Sequence, residues 1–200
     1  MTENETGTDA PARRRDLPLF EIVMGTAVLL ISLVSLFVAV SANRTQERML
    51  AASVWPSLIY ATSNVDPDGT RQVSFDLLNR GVGPARVRWA ELRYQGTAVR
   101  DSRELLAACC GATGDDALHV TTSGIQRRVI GAGEWIKLLR APEPETASAV
   151  YDALSRERHD VDLRLCYCSV LDDCWVLDSK QADPQPVKRC PTPPAVPWNG

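Results

Sequence analysis

The pattern of hydrophobic positions divides the chain into one long apolar run and a longer region of alternating residues. Residues 22–40 read IVMGTAVLLISLVSLFVAV and contain no charged side chain. At about 1.5 Å of rise per residue, a helix of this length covers the hydrocarbon core of a bilayer, which is about 30 Å thick. The pattern predicts a transmembrane helix over 22–40. A helical stalk over 41–56 is expected to follow, because a helix usually ends before a proline such as Pro56.

Basic residues on the two sides of the span predict its orientation. Three arginines at 13–15 precede the apolar run, and Arg44 and Arg48 follow it. Because the side richer in Lys and Arg faces the cytoplasm, residues 1–21 are expected to form a cytoplasmic tail. A cleaved signal peptide is the alternative, since residues 39–42 include small side chains suited to cleavage. Its apolar region would be shorter, about 7 to 15 residues.

Alternation with a period of two predicts strands after the stalk. Val73, Phe75 and Leu77 alternate with polar neighbours, as in a strand with one buried face. Asp66–Gly69 has turn chemistry and predicts a hairpin with the preceding strand. Val87 and Trp89 are expected to share the buried face of the next strand. The predicted strands are 57–64, 72–79, 86–94, 119–122, 134–139, 162–170 and 174–178.

Two helical insertions and an extended tail complete the predicted domain, which spans residues 57–180. Asp101 and Glu104 resemble a capping box, and Gly111 can end that helix. The second helix is expected over 145–156, with an apolar stripe that serves either as a lid on the sheets or as a partner-binding surface. Its residues are Ala147, Val150, Tyr151 and Leu154. Six prolines in 181–200 predict an extended tail outside regular structure.

Charge and motifs argue against several functional classes. Of the 22 basic and 25 acidic residues, three and five lie in 1–21, which leaves 19 and 20 in the remainder. A nearly neutral domain does not attract nucleic acid, so no nucleic-acid partner is expected. The chain has two histidines, no G-x-S-x-G elbow and no glycine-rich phosphate loop. We therefore predict neither an enzyme nor a cofactor.

The junction Asn79-Arg80-Gly81-Val82-Gly83-Pro84-Ala85 resembles the N-x-G-x-G-P-A junction of bacterial extracytoplasmic immunoglobulin-like domains. The turn at 130–134 is similar to a later glycine turn of such sandwiches. When these two motifs are taken together with the predicted membrane anchor, the chain resembles a family of uncharacterised single-span bacterial membrane proteins. The resemblance implies an N-terminal transmembrane helix, then an immunoglobulin-like antiparallel β-sandwich outside the bacterial inner membrane.

The residues of these turns have predicted scaffold roles. Gly81, Gly83 and Gly133 can adopt positive φ, and Pro84 favours an extended start of the next strand. The side chain of Asn79 can hydrogen-bond nearby backbone amides.

Cysteines in an extracytoplasmic domain predict disulfides. Cys166 and Cys168 lie on the same face of one predicted strand, and the following turn brings Cys174 back beside them. Cys168–Cys174 is the preferred bridge. Adjacent cysteines rarely bond each other, so one of the pair at 109–110 is expected to reach Cys166 or Cys190. The six candidates are Cys109, Cys110, Cys166, Cys168, Cys174 and Cys190.

A soft-metal site is the alternative interpretation of the same cysteines. The C-x-C pair, Cys174 and either His119 or His159 are suitable ligands for Cu(I) or Zn(II). The spacing is not C-x-x-C, so neither a zinc knuckle nor a thioredoxin-like redox pair is indicated. The disulfide interpretation is preferred, and no metal is assigned.

Three functional hypotheses follow. The first is a non-enzymatic module that is anchored in the lipid bilayer through residues 22–40 and binds another envelope protein. The hairpin at 166–178 and the junction at 79–85 would shape its scaffold. The second is a periplasmic protein that handles thiols or soft metals with the C-x-C hairpin. The third, a ligand sensor, is disfavoured because the 21-residue tail is too short for an output domain.

Overall fold

The structure, a computed structural model, describes residues 19–114 and 118–200. The chain divides into two compact units, and the boundary between them lies between Arg48 and Met49. Most of the predicted cytoplasmic tail, residues 1–18, lies outside the described residues.

The first helix, α1, runs from Leu19 to Ser53. An 18-residue window within it has a mean hydropathy of 2.6, and none of its residues is buried. This helix is long and apolar enough to cross a membrane. It continues without a break through most of the predicted stalk and ends before Pro56, which confirms the prediction that one helix contains both.

Within the described residues, the second unit contains ten strands and two α-helices. The seven predicted strands and the two predicted helices each have a counterpart among them, and three short strands were not predicted. The strands are β1 Leu58–Val65, β2 Arg71–Asn79, β3 Ala85–Tyr94, β4 Thr97–Val99, β5 Thr121–Thr122, β6 Val129–Ile130, β7 Trp135–Pro142, β8 Val161–Cys168, β9 Cys174–Asp178 and β10 Gln185–Val187. The helices are α2 Ser102–Cys110 and α3 Ala149–Glu157, and a single 3-10 turn occupies Arg158–Asp160.

The strands form two antiparallel sheets. The first has the order β1-β2-β7-β5, and the second has the order β10-β9-β8-β3-β4, with β6 also paired to β3. Two tight connections confirm predicted hairpins: β1 pairs with β2, and β8 pairs with β9. The unit is therefore a mainly-β domain with antiparallel sheets, as predicted.

One apolar core receives side chains from both sheets, including Phe75 and Leu77 of β2 and Leu165 of β8. The predicted place of Trp89 on the core face of β3 was wrong. A register irregularity between Val87 and Trp89 shifts the alternation by one residue, as a β-bulge does. Ala90 and Leu92 therefore join the core cluster, whereas Trp89 turns to the other face of the sheet.

The two helices begin at capping side chains. Asp101 accepts a hydrogen bond from the amide of Glu104, and α2 ends at Gly111 in the left-handed conformation, which confirms both predicted caps. Ser148 caps α3, so the second helix starts later than predicted, and Ala147 lies outside it and is exposed. The rest of the predicted stripe is buried, and α3 packs against α2.

The C-terminal tail packs on the domain, contrary to the prediction of an extended segment without regular structure. Residues Gln185–Val187 pair with β9 as strand β10. Trp198 is 0% exposed and belongs to the core, and its amide donates to the carbonyl of Ala90 at 2.9 Å. Proline content predicts an extended segment, but it carries no information on the tryptophan that anchors this segment in the core.

Replacing Trp198 by alanine is expected to lower the free energy of unfolding by about 3 to 5 kcal/mol, because it removes a large side chain from a closed core. Chemical denaturation of the detergent-solubilised protein, followed by circular dichroism, measures the change. Trp135→Ala is the matched control: Trp135 is 55% exposed, and its loss should cost less than about 0.5 kcal/mol. Equal effects of the two variants would contradict the assigned packing of the tail.

Candidate functional site

Asn79, at the end of β2, is fully buried, and its side-chain amide connects three segments. Its Oδ1 atom accepts hydrogen bonds from the amides of Ser57, at 3.1 Å, and Gly81, at 3.0 Å. Its Nδ2 group donates to the carbonyls of Gly83, at 2.9 Å, and Ile130, at 3.0 Å. The side chain therefore uses both donors and both acceptor positions, which agrees with the scaffold role that its sequence context predicts.

The glycines beside Asn79 are required by close approach rather than by positive φ. A Cβ atom on Gly81 would lie 2.6 Å from the Cα of Pro56, and one on Gly83 would lie 2.5 Å from the Cα of Val54. Positive φ, which was expected of all three glycines, occurs only at Gly133, with φ of 75°. Pro84 directly precedes β3, as predicted.

The cysteines form three disulfides, of which one was predicted. Cys168–Cys174 confirms the preferred bridge, with a Cα separation of 4.0 Å across the hairpin. The other two pairs are Cys166–Cys190, with a Cα separation of 5.8 Å, and the adjacent pair Cys109–Cys110.

The expectation that one of the adjacent cysteines reaches Cys166 or Cys190 was wrong. Both lie in the last turn of α2, which packs against α3, whereas Cys190 follows a strand that joins β9 next to β8. The pairing of β10 with β9 therefore delivers Cys190 to Cys166. The sequence signal for this was the position of Cys190 soon after Gln185–Val187, a segment that had been assigned to the extended tail.

Two of the disulfides touch one another and form a sulfur cluster. The Sγ atoms of Cys168 and Cys190, which belong to different bridges, are 3.7 Å apart. The Sγ atoms of Cys168, Cys174 and Cys190 all lie within 4.8 Å of one another. Within the described residues, neither His119 nor His159 belongs to this group, and both are exposed.

The sulfur cluster lines an open cavity of about 550 Å³ on the outer face of the second sheet. Arg88, Lys188 and Arg189 also line it, and the carboxylate of Asp172 pairs with Arg86 and with Arg88. Cations therefore outnumber carboxylates at its rim.

The indole of Trp89 closes the floor of this cavity and holds the tail. Its Nε1 group donates to the carbonyl of Pro191 at 2.9 Å. The guanidinium of Arg164 lies 5.9 Å from the centroid of its ring, within cation–π distance. The tail segment that carries Cys190 is thus held by a hydrogen bond as well as by its disulfide.

An apolar row on the outer face of the first sheet was not found from the sequence. Ile59 of β1 pairs with Leu78 of β2, and Leu78 pairs with Trp135 of β7. Ile59 is 41% exposed and Trp135 is 55% exposed. The available signal was the doublet Leu77-Leu78, which places a leucine on both faces of one strand, with Leu77 in the core.

Charged and polar side chains lie beyond one side of this row on the same sheet. Lys137 donates to Asp66 at 3.0 Å, and Arg140 reaches the same carboxylate at 3.4 Å. Arg140 also donates to Gln72. The buried side chain of Asp76 accepts from the hydroxyl of Ser74 at 2.6 Å. The outer face of the sheet therefore changes from apolar to polar along the strands.

Two core tyrosines remain protonated at neutral pH. Burial raises the pKa of Tyr167 to about 12. Burial, and to a smaller extent the carboxylates of Asp162 and Asp76, raise the pKa of Tyr60 above its usual value. Tyr60 donates to the carbonyl of Val161 at 3.0 Å. Tyr167 belongs to the core, and Tyr60 packs against it.

Comparison with protein families, with curated proteins and with solved structures finds no match. The site must therefore be interpreted from its own geometry. That geometry offers two kinds of chemistry: apolar docking at the row on the first sheet, and sulfur chemistry at the cluster on the second.

Asn79→Ala is expected to lower the free energy of unfolding by about 3 kcal/mol or more, because it leaves several buried backbone groups without partners. Asn79→Asp should also destabilise the protein, since a carboxylate cannot donate to the carbonyls of Gly83 and Ile130. Urea unfolding monitored by circular dichroism measures both changes.

Asn64→Ala is the control for these variants, because Asn64 is an exposed asparagine on β1. Its replacement should change the free energy of unfolding by less than about 0.5 kcal/mol. If Asn79→Ala were no more destabilising than Asn64→Ala, the proposed role of the buried amide would be refuted.

Proposed function

We propose that the chain is a membrane-anchored, non-enzymatic interaction module that binds another protein of the bacterial envelope. In this proposal α1 crosses the inner membrane once, with the N-terminus in the cytoplasm, and the β-domain is an immunoglobulin-like sandwich outside it. The length and apolar composition of α1 support the anchor. The two antiparallel sheets around one core support the sandwich, and the paired cysteines suit an oxidising compartment.

The observation that carries the proposal is the exposed row Ile59, Leu78 and Trp135. Three apolar side chains in direct cross-strand register form a continuous strip on a rigid sheet. Exposed tryptophan is the residue type most often found to dominate binding energy at protein interfaces. The ion pairs of Asp66 with Lys137 and Arg140 lie on the same sheet and supply a polar margin, as at the rim of an interface.

The position of β1 adds a second means of recognition. β1 lies at the edge of its sheet in the part of the chain that the structure describes, with β2 as its strand partner. An extended segment of a partner can add to such an edge through main-chain hydrogen bonds. Ile59 belongs to both the strip and the edge, so one partner can use both features.

Thiol or soft-metal handling by the C-x-C hairpin is the second candidate. It is favoured by the three Sγ atoms of Cys168, Cys174 and Cys190 within 4.8 Å of one another. Metal binding needs thiolates, so the bridges would first have to be reduced. Metal analysis of the protein purified from membranes, before and after reduction, distinguishes this candidate from the first.

Photo-crosslinking in intact cells tests the interaction module. A photoreactive amino acid at position 59 or 135 is expected to give the same discrete adduct with an envelope protein, which mass spectrometry identifies. The same probe at Thr97, which is exposed on β4 of the other sheet, is the control and should give no such adduct.

Trp135→Ala should weaken binding to the identified partner about 10-fold or more, the effect expected for a residue that contributes about 2 kcal/mol. Since this variant keeps its stability, a loss of binding reports on the surface and not on folding. Equal crosslinking from all three positions, or unchanged affinity of the Trp135→Ala variant, would refute the proposal. An adduct of the chain with a second copy of itself would also refute the proposal, because it would show that the strip is a self-association surface.

A further inference from the structure

We infer that Cys166, Cys168, Cys174 and Cys190 form a disulfide-exchange unit that accepts two electrons from a protein dithiol. The inference deepens the second candidate function, thiol handling by the hairpin, and rests on the contact between two separate bridges. Cys168 and Cys190 are not bonded to each other, yet their Sγ atoms are 3.7 Å apart. A third pairing, Cys168–Cys190, would therefore join two sulfurs that are already neighbours.

Exposure limits which of the four sulfurs an external thiolate can attack. Cys166 and Cys168 are buried in β8, whereas Cys174 is 7% exposed and Cys190 is partly exposed at the cavity. Each bridge therefore has its more exposed cysteine at the cavity, Cys174 or Cys190, and attack at Cys174 is the step that starts the exchange. Attack at Cys174 releases Cys168, and Cys168 is the sulfur that faces Cys190.

Charge at the cavity favours the thiolate forms that exchange requires. Arg88, Lys188 and Arg189 line the cavity beside the sulfurs, and the single carboxylate of Asp172 is paired with arginine. Cations near a cysteine stabilise its thiolate, which is the reactive species. The same cations would attract the thiolate of an incoming dithiol.

The exchange consists of three successive thiolate attacks, each of which forms one S–S bond and breaks another. One thiolate of the partner attacks Cys174, the Cys168–Cys174 bond breaks, and its electron pair leaves on Cys168. The Cys168 thiolate attacks Cys190, so a Cys168–Cys190 bond forms and Cys166 leaves as a thiolate. The second partner thiolate then attacks its own half of the mixed disulfide and releases Cys174. The partner becomes a disulfide, and its two protons end on Cys166 and Cys174.

The structure can hold the exchanged state. Cys166 is fully buried, and burial favours the neutral thiol over the charged thiolate, which slows the reverse attack. The tail remains attached while Cys190 changes partner, because Trp198 is in the core and Trp89 donates to Pro191. Exchange therefore changes the pairing without releasing the segment.

Partial reduction of the full-length protein tests the inference. The protein in detergent is treated with one equivalent of dithiothreitol, quenched with acid and N-ethylmaleimide, and digested without further reduction. Cleavage after Tyr167 and before Asp173 separates the three cysteines of the hairpin for mass spectrometry. The expected result is loss of the Cys166–Cys190 peptide pair, appearance of a Cys168–Cys190 pair, and label on Cys166 and Cys174.

Label confined to Cys168 and Cys174, with Cys166–Cys190 intact, would show simple reduction and overturn the inference. Reduction confined to the separate Cys109–Cys110 pair would overturn it as well.

Two variants test the same step without a reductant. Cys174→Ser leaves Cys168 without its native partner, so part of the purified protein should carry Cys168–Cys190 with Cys166 labelled. Cys190→Ser is the matched control: it should keep Cys168–Cys174 and show label on Cys166 alone. If Cys174→Ser kept only Cys166–Cys190 and was labelled only on Cys168, the exchange would be refuted.

Discussion

The fold of the β-domain depends on the hydrogen bonds of one buried amide. Asn79 joins the segment that follows α1, through Ser57, to the β2–β3 junction and to the turn before β7. Its backbone also bonds to Gly133 and Glu134. A buried polar group without partners is costly, so none of these segments can move away without leaving the amide unsatisfied. The close approach of Gly81 and Gly83 to residues 54–57 follows from the same constraint.

The second sheet has its own constraint on the opposite side of the core. The irregularity after Val87 turns Trp89 outward, where Arg164 and the carbonyl of Pro191 engage it. That face also carries the two disulfides that touch each other. The C-terminal tail covers it, and the tail and both disulfides therefore lie on the same face of the sheet. The outer face of the first sheet has no such cover over its apolar row in the part of the chain described here, and this difference distinguishes the two surfaces.

The features that could be predicted from the sequence are those that depend on residues close together in the chain. The apolar helix, the β1–β2 and β8–β9 hairpins, the caps of α2 and the Cys168–Cys174 bridge all follow from periodicity, turn residues or short spacing. What it missed depends on contacts between distant segments. The bulge in β3 is visible only in its pairing with β8, and the Cys166–Cys190 bridge depends on β10 joining β9. The exposed row arises from three strands in register, and no single strand reveals it.

Amide hydrogen exchange measured by NMR tests the central role of Asn79 most directly. The amides of Ser57 and Gly81 lie outside the strands, yet both donate to the Asn79 side chain. We expect them to be protected from exchange to the same degree as amides in the middle of β2. Exchange as fast as that of Asp68, at the exposed tip of the β1–β2 hairpin, would contradict the account.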